Sequence, residues 1–357
     1  MGSMFSSGGS AAQPNLSGKV FLVTGAKYVF LELLSPLALA LPSSLSTNSY
    51  LILRFSRGIG FETAKQLYKL GGTVYLGARS EKNAEDAMAR IRDEVTGAGR
   101  LRWFPLDLST IARARESAEA FLGMEDRLDV LVNNACLGDA TFEINEDGIE
   151  TMFATNHVGH FVLTTTLLPL MKKTSALNET DVRIVNVAST VHNMWGKGTQ
   201  ISFADPSDLS KPFPAKKPDT WSHILTRYSR TKLANILFTR ELQRRLDDEG
   251  SDIISLSLHP GYVATDAAKV ATSKMPIFGV ISSILVKLFF IDEAGGARNS
   301  VYAASNPTVR ADPKRFKGQF LTPVGKVTAP AAIAQDKQLA RDLWSLTDRI
   351  MQQRINP

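Results

Sequence analysis

Tyr228 and Lys232 stand four residues apart in the segment YSRTK, so a helix would bring the phenol and the ammonium onto one face. A phenol with a pKa of about 10 is a poor proton carrier near neutrality, and a cation that stabilises phenolate moves it toward the working range. The pair is therefore a candidate general acid/base, with Tyr228 exchanging the proton and Lys232 tuning it. Tyr and Lys recur at this spacing by chance, and the bland alternative is an exposed helix start with a snorkelling lysine.

A second group of residues suits phosphate. Thr24 and Gly25 close the apolar run KVFLVT, while Arg57, Gly58, Ile59 and Gly60 lead into the amphipathic stretch FETAKQLYKL. Backbone N–H groups of a glycine turn followed by a helix N-terminus cradle an anion. The stretch reads like one such loop cut open and filled, since residues 27–57 stand between Ala26 and Gly58.

Other reactive side chains point less far. His157 and His160, in TNHVGHF, are a lone helical pair with no carboxylate at metal-ligand spacing, and read as core or surface histidines. Cys136 is the single cysteine, which excludes an intrachain disulfide, and it reads as a small packed thiol in a reducing, cytoplasmic setting.

These residues sit among short β-branched runs alternating with amphipathic stretches. KVFLVT, TVYLGA, LRWFPLD, LDVLVNN, VRIVNVAS and IISLSLHP read as strands, and EKNAEDAMARIRDEV, ARARESAEAFL and KLANILFTRELQRRL as helices. Right-handed crossovers make this a three-layer, doubly wound parallel α/β sheet of Rossmann type, with the ligand crevice at the carboxyl ends of the strands. With 357 residues, 44% hydrophobic and 21% charged, the chain suits one large core and one domain over 18–357, preceded by a flexible tail over 1–17. Within that tail Gly2 and Ser6 match a loose N-myristoylation pattern, and Met4 is an alternative start. Residues 200–220, rich in Pro, Lys and Asp, read as a surface excursion over the crevice. The net charge of +6 comes without a long basic block or an aromatic-studded basic stripe, which argues against nucleic acid and fits an anionic cofactor. Two apolar stretches, Tyr28 to Phe55 and Met275 to Ile291, are interrupted by proline, serine or charge and make unconvincing membrane spans.

Taken in order, these motifs resemble the short-chain dehydrogenase/reductase family over nearly the whole chain from Gly18, apart from the filled region. The resemblance implies that Tyr228 is the acid/base and that Lys232 also holds the nicotinamide ribose. It implies that Ser189, at the end of RIVNVAS, orients the substrate oxygen, with Thr190 as the alternative. Asn156 matches the asparagine that supports a water-linked proton path to the lysine. LVNNACL resembles the Asn-Asn-Ala-Gly turn beside the cofactor, giving Asn133 and Ala135 as contacts, with Cys136 where glycine is usual. HPGYVATD supplies Pro260, Gly261, Val263 and Thr265 near the nicotinamide, and Asp107 matches the residue near adenine. The second strand ends in Arg79 with no carboxylate for a ribose 2′-hydroxyl, and Arg57 precedes Gly58; both arginines favour NADP(H). The apolar segment over 266–292 takes the place of the substrate lid, so the substrate is expected to be a lipophilic small molecule, with peripheral membrane contact as an alternative use and ordinary core packing as the bland alternative. GQFLTPVGK and KQLARDLWSLTDRIM resemble the retinol-dehydrogenase-like branch, which includes fungal reductases of secondary metabolism. A homo-oligomer is a further family expectation.

Two readings of the filled loop remain open. One is a genuine insertion whose ends meet. The other is an intron translated in frame, because Lys27-Tyr28-Val29 can be encoded with GTATGT, Thr47-Asn48 with CTAAC, and Ser56 as AGY. Removal would leave asparagine in place of residues 27–56 and restore VTGANRGIGFETAKQL, a complete family motif, which favours the second reading. The interruption also motivates a rival function, a catalytically silent binding or scaffold protein.

Overall fold

The computed structural model describes residues 13–25, 58–138, 140–178, 180–194, 201–212, 220–261 and 293–355. All six apolar runs form strands: β1 Val20–Thr24, β2 Thr73–Ala78, β3 Arg100–Pro105, β4 Val130–Asn133, β5 Arg183–Val187 and β6 Ile254–Leu258. They are joined by two short strands, β7 Phe320–Thr322 and β8 Lys326–Val327, in the order β3-β2-β1-β4-β5-β6-β7-β8. Every pairing is parallel except β7 with β8. β1 lies between β2 and β4, with Val23 in register with Leu76 on one side and Val132 on the other. The chain reverses direction across the sheet at that point, so the crevice opens at the carboxyl ends of β1 and β4.

Both faces of the sheet are buried along β1, β2, β4, β5 and β6, which is why these strands read as near-continuous apolar runs. Phe21, Val23, Val74, Leu76, Val130 and Val132 pack under α1 (Ile59–Lys69), α2 (Glu81–Glu94) and a later helix, α6 (Glu293–Ser305). Leu22, Tyr75, Leu131 and Ile184 face α3 (Ile111–Met124), α4 (Gly159–Ser175) and α5 (Trp221–Asp248). Side-chain caps start two of these helices: Ser80 accepts from the Asn83 amide and Thr110 from the Arg113 amide. The final helix, α7 (Lys337–Ile355), lies on α5, with Trp344 stacked on Phe238 at 5.7 Å between ring centroids.

Three features differ from the sequence reading. The packed fold reaches back to Leu16, inside the expected tail: its side chain is buried and its amide donates to the Leu70 carbonyl at 2.9 Å. The stretch read as a surface excursion is anchored where it is described, because Phe203 and Leu209 are buried in the core and the Glu150 amide donates to the Leu209 carbonyl. β7 and β8, of three and two residues, are too short to show a period of two. Among the described residues no helix is long and apolar enough to cross a membrane. The stretches 27–56 and 266–292 lie outside the described residues.

Candidate active site

Two cavities meet at the carboxyl end of the sheet. One of ≈ 140 Å³ is bounded by Gly58, Gly60, Ser189, Tyr228, Lys232 and Pro260. The other, of ≈ 320 Å³, runs past Arg79, Ser80, Asp107 and Leu137. Gly25 and Cys136 border both, so the two make one groove from the ends of β5 and β6 to the end of β2.

Close backbone approach defines the middle of that groove. A Cβ on Gly60 would lie 2.6 Å from both the Gly25 carbonyl oxygen and Asn134 Nδ2, and one on Gly25 would lie 2.5 Å from the Ala135 Cα. Gly25 has φ of 65°, in the region that favours glycine. α1 begins just after Gly58 without a side-chain cap, leaving first-turn N–H groups at its positive end for a ligand. The halves of the interrupted loop therefore come together, and the close-packed glycines with the uncapped helix start fit a dinucleotide pyrophosphate.

Beneath the loop, the Thr24 hydroxyl oxygen accepts from the amides of Asn134 and Ala135, both at 2.9 Å. Thr24 also lies 2.9 Å from His160 Nε2. Asn134 closes the turn by donating from Nδ2 to the Thr24 carbonyl at 2.9 Å and the Gly25 carbonyl at 3.1 Å. Asn133, the contact expected from the sequence, points its side chain inward, donating to Thr164 and Asn186 at 2.9 Å each. Alternation along β4 explains this: its partner in the pair faces the groove and it faces the core.

At the β5 end, the long helix α5 carries Tyr228 and Lys232 well inside its length. The buried Lys232 places Nζ 5.4 Å from the centre of the Tyr228 ring and donates to the Val187 carbonyl at 2.9 Å. Burial lowers the Lys232 pKa, opposed by the nearby Cys136. The expected lowering of the phenol by Lys232 does not dominate here: burial and the hydrogen-bonded Cys136 sulfur hold Tyr228 above its ordinary value. Ser189 ends β5 in the same cavity, with its Oγ accepting from the Val191 amide at 3.3 Å. Thr190 turns toward His259, its amide 3.4 Å from Nδ1, so Ser189 is the hydroxyl that borders the cavity with Tyr228.

Asn156 lies in a π-helical turn, Ala154–Val158, that leads into α4; such turns often mark functional sites. Its side chain is fully buried and clamps three elements, accepting from the Leu137 amide at 2.7 Å and donating to the Leu137 carbonyl at 2.8 Å and Thr231 Oγ1 at 3.1 Å. Thr231 adjoins Lys232, so Asn156 fixes the turn after β4 against the helix that carries the acid/base pair.

At the β2 end, Arg79 and Asp107 border the larger cavity. Asp107 accepts from the Ser109 amide at 2.9 Å and from Arg113 at 3.0 Å. Burial raises its pKa, but the bonds from Ser109 and Arg113 outweigh it and the carboxyl is held below its usual range. Thus Asp107 is an ionised turn-former at the groove wall.

The structure assembles Thr24, Gly25, Gly58, Ile59, Gly60, Arg79, Asp107, Ala135, Asn156, Ser189, Tyr228, Lys232, Pro260 and Gly261 around one groove or directly behind its wall. Arg57, Val263 and Thr265 lie outside the described residues. The sequence reading passed over Asn134, whose signal was the repeated asparagine in LVNNACL, and the inward role of His160.

A sequence profile described as short chain dehydrogenase matches residues 50–201. The chain is 39% identical over 293 residues to the short chain dehydrogenase/reductase dpchH of Colletotrichum higginsianum, covering 81% of this chain and 71% of that protein. It is 34% identical over 322 residues to human retinol dehydrogenase 14, covering 86% and 87% respectively. Among solved structures, an uncharacterised protein from Mycobacterium paratuberculosis superposes with a TM-score of 0.63 at 27% identity, over 95% of this chain and 96% of that one.

Proposed function

The chain belongs to the short-chain dehydrogenase/reductase family, of the retinol-dehydrogenase-like type, and from that premise we propose that it interconverts a carbonyl and a secondary or primary alcohol on a lipophilic small molecule with NADP(H). Family membership makes it a nicotinamide-dependent oxidoreductase acting on CH–OH groups. The preference for NADP(H), the lipophilic substrate and a place in secondary metabolite biosynthesis are the finer reading. The observation that carries it is the continuity of the groove, which joins Ser189, Tyr228 and Lys232 at one end to Arg79 at the other.

In reduction, Ser189 and Tyr228 hold the substrate oxygen between two hydroxyls, and their hydrogen bonds strengthen as negative charge develops on it. Tyr228 is held in its protonated form by burial and releases its proton to that oxygen as negative charge develops there and raises the oxygen's own proton affinity. Lys232 then faces the phenolate across the ring and stabilises it until a proton returns. The nicotinamide would supply or accept the hydride when bound, and the close-packed Gly25, Gly60 and Ala135 would keep side-chain bulk away from the pyrophosphate. Arg79, exposed at the groove's far end, suits a 2′-phosphate through its forked donors.

NADPH consumption measured with a panel of hydrophobic ketones and aldehydes tests this reading. Tyr228→Phe is expected to abolish turnover while keeping NADPH affinity within about threefold, because the ring remains and only the proton donor is lost. Near-normal turnover in that variant would refute the catalytic assignment.

A further inference from the structure

Four hydrogen bonds converge on one buried imidazole and one hydroxyl that no catalytic step uses. His160 Nδ1 lies 3.2 Å from the Asn156 carbonyl oxygen, and His160 Nε2 lies 2.9 Å from Thr24 Oγ1. A carbonyl only accepts, so Nδ1 carries the proton; in a neutral ring Nε2 then accepts, and the Thr24 hydroxyl donates to it. With its proton committed, Thr24 Oγ1 is left to accept the amides of Asn134 and Ala135 at 2.9 Å each. The other acceptor for Thr24 is the Val132 carbonyl at 3.3 Å, the longer of the two. His160 is 3% exposed, so water does not compete for either ring nitrogen. Burial, and to a smaller degree the charge on Lys232, keep its pKa low, at about 4, in agreement with the neutral ring that the geometry requires.

We propose that His160 is a positioning residue that locks the cofactor cradle to the catalytic turn, its single tautomer tying the Asn156 backbone to Thr24 and, through Thr24, to the Asn134–Ala135 turn. The proposal rests on the reading of the groove as a nicotinamide dinucleotide site. Each link is short. Asn134 is held against the Thr24 and Gly25 carbonyls, where Gly60 closes the loop, and the Asn156 side chain holds Leu137 and Thr231 beside Lys232. His160 therefore sets the separation between the phosphate end and the proton-transfer end of one groove. The neighbouring His157 faces the other way, with Nε2 3.2 Å from Thr347 Oγ1 on α7, and takes no part in the lock.

Two substitutions and one spectrum test it in the full-length chain. His160→Phe keeps a ring of similar shape and loses both bonds, whereas the amide of His160→Gln offers a donor and an acceptor at a comparable separation. NADPH affinity is expected to fall about tenfold in the Phe variant, the KM for the carbonyl substrate to stay constant, and the Gln variant to recover to within about threefold of wild type. In ¹⁵N-histidine spectra near neutral pH, the signal missing from the Gln variant is expected to show a protonated Nδ1 and a bare Nε2. Equal NADPH affinity in the wild-type, Phe and Gln proteins, or a protonated Nε2, would overturn the proposal. If the wild-type chain neither binds nor consumes NADPH, the functional reading fails, and the tautomer alone still decides whether the lock exists.

Discussion

Gly60 rests against Gly25: a methyl group added to Gly60 would fall 2.6 Å from the Gly25 carbonyl oxygen, although residues 26–59 run between them. A contact this short leaves no room for any side chain. The same added methyl would meet Asn134 Nδ2 at 2.6 Å, so it would press on both halves of the cradle. Gly60→Ala is accordingly expected to weaken NADPH binding by about tenfold or more while leaving α1 intact, since alanine is the better helix former. Titration of NADPH fluorescence checks the affinity and circular dichroism the helix; unchanged affinity would mean that the cradle opens where this structure shows it closed.

The proposed preference for NADP(H) invokes charge at the groove's far end. Arg79 is exposed beside Ser80 and Asp107, and Arg57 precedes the Gly58 that begins the second half of the loop. An arginine on a phosphate is worth about 1.5–3 kcal/mol as a charge-assisted hydrogen bond, whereas on a ribose hydroxyl it is worth less. The pair Arg57→Ala and Arg79→Ala should therefore weaken NADPH by roughly a hundredfold and NADH by under fivefold. Equal losses for the two cofactors would show that these arginines do not read the 2′-phosphate.

Most of the sheet is legible in the sequence because strands buried on both faces write themselves as apolar runs, as β1, β2, β4, β5 and β6 do, while β3, at the sheet edge, shows alternation instead. β7 and β8 escaped notice because three and two residues carry no pattern. The site divides the same way. Tyr228 and Lys232 were visible because a spacing of four on a helix is a property of the sequence, and Gly25 and Gly60 because glycine marks close approach. Asn133 and Asn134 could not be told apart from the sequence, since which of two adjacent strand residues faces the groove depends on register. His160 reads from the sequence as a core or surface histidine, and it is buried; only the positions of Asn156 and Thr24 reveal what it joins. The raised phenol of Tyr228 was equally hidden, because it depends on burial and on the Cys136 sulfur that faces it.

Acid should unfold this chain early. Burial holds His157 at about 3 and His160 and His259 at about 4, with His192 a further aid to the acid penalty on His259. These values lie below the ordinary 6.5, so the native imidazoles stay neutral while the unfolded chain takes up protons. Stability from this source is complete above about pH 6.5 and is lost as pH falls from there toward about 4 for His160 and His259 and about 3 for His157. Each group contributes on the order of 3 kcal/mol across its window. Urea midpoints are expected to drop between pH 7.5 and pH 5, and the drop should shrink in His157→Phe, which cannot be protonated. A midpoint independent of pH over that range would contradict the burial of these rings.

The interrupted loop supplies the last prediction. Closing a loop of this length costs little more than closing a short one, since the entropy rises only with the logarithm of length, and the meeting of Gly25 with Gly60 shows that the sheet and α1 hold both ends in place. Folding should thus tolerate residues 27–56. Binding asks for more, because the cradle must present consecutive N–H groups to a pyrophosphate, and the segment that would carry them has been replaced by a long apolar stretch with two prolines. Substituting one asparagine for Lys27 to Ser56 restores the continuous motif VTGANRGIG, and is expected to raise NADPH affinity at least tenfold, roughly 1.4 kcal/mol. Removing that apolar run should also reduce aggregation. Calorimetric titration of both chains with NADPH, with light scattering on the same samples, measures the two effects. Equal affinity in the two chains would identify the insertion as a native element that the cradle accommodates, and sequencing the mature transcript would then be expected to retain it. A gain of the predicted size, together with a transcript that lacks the segment, would identify it as an intron carried into the translated sequence.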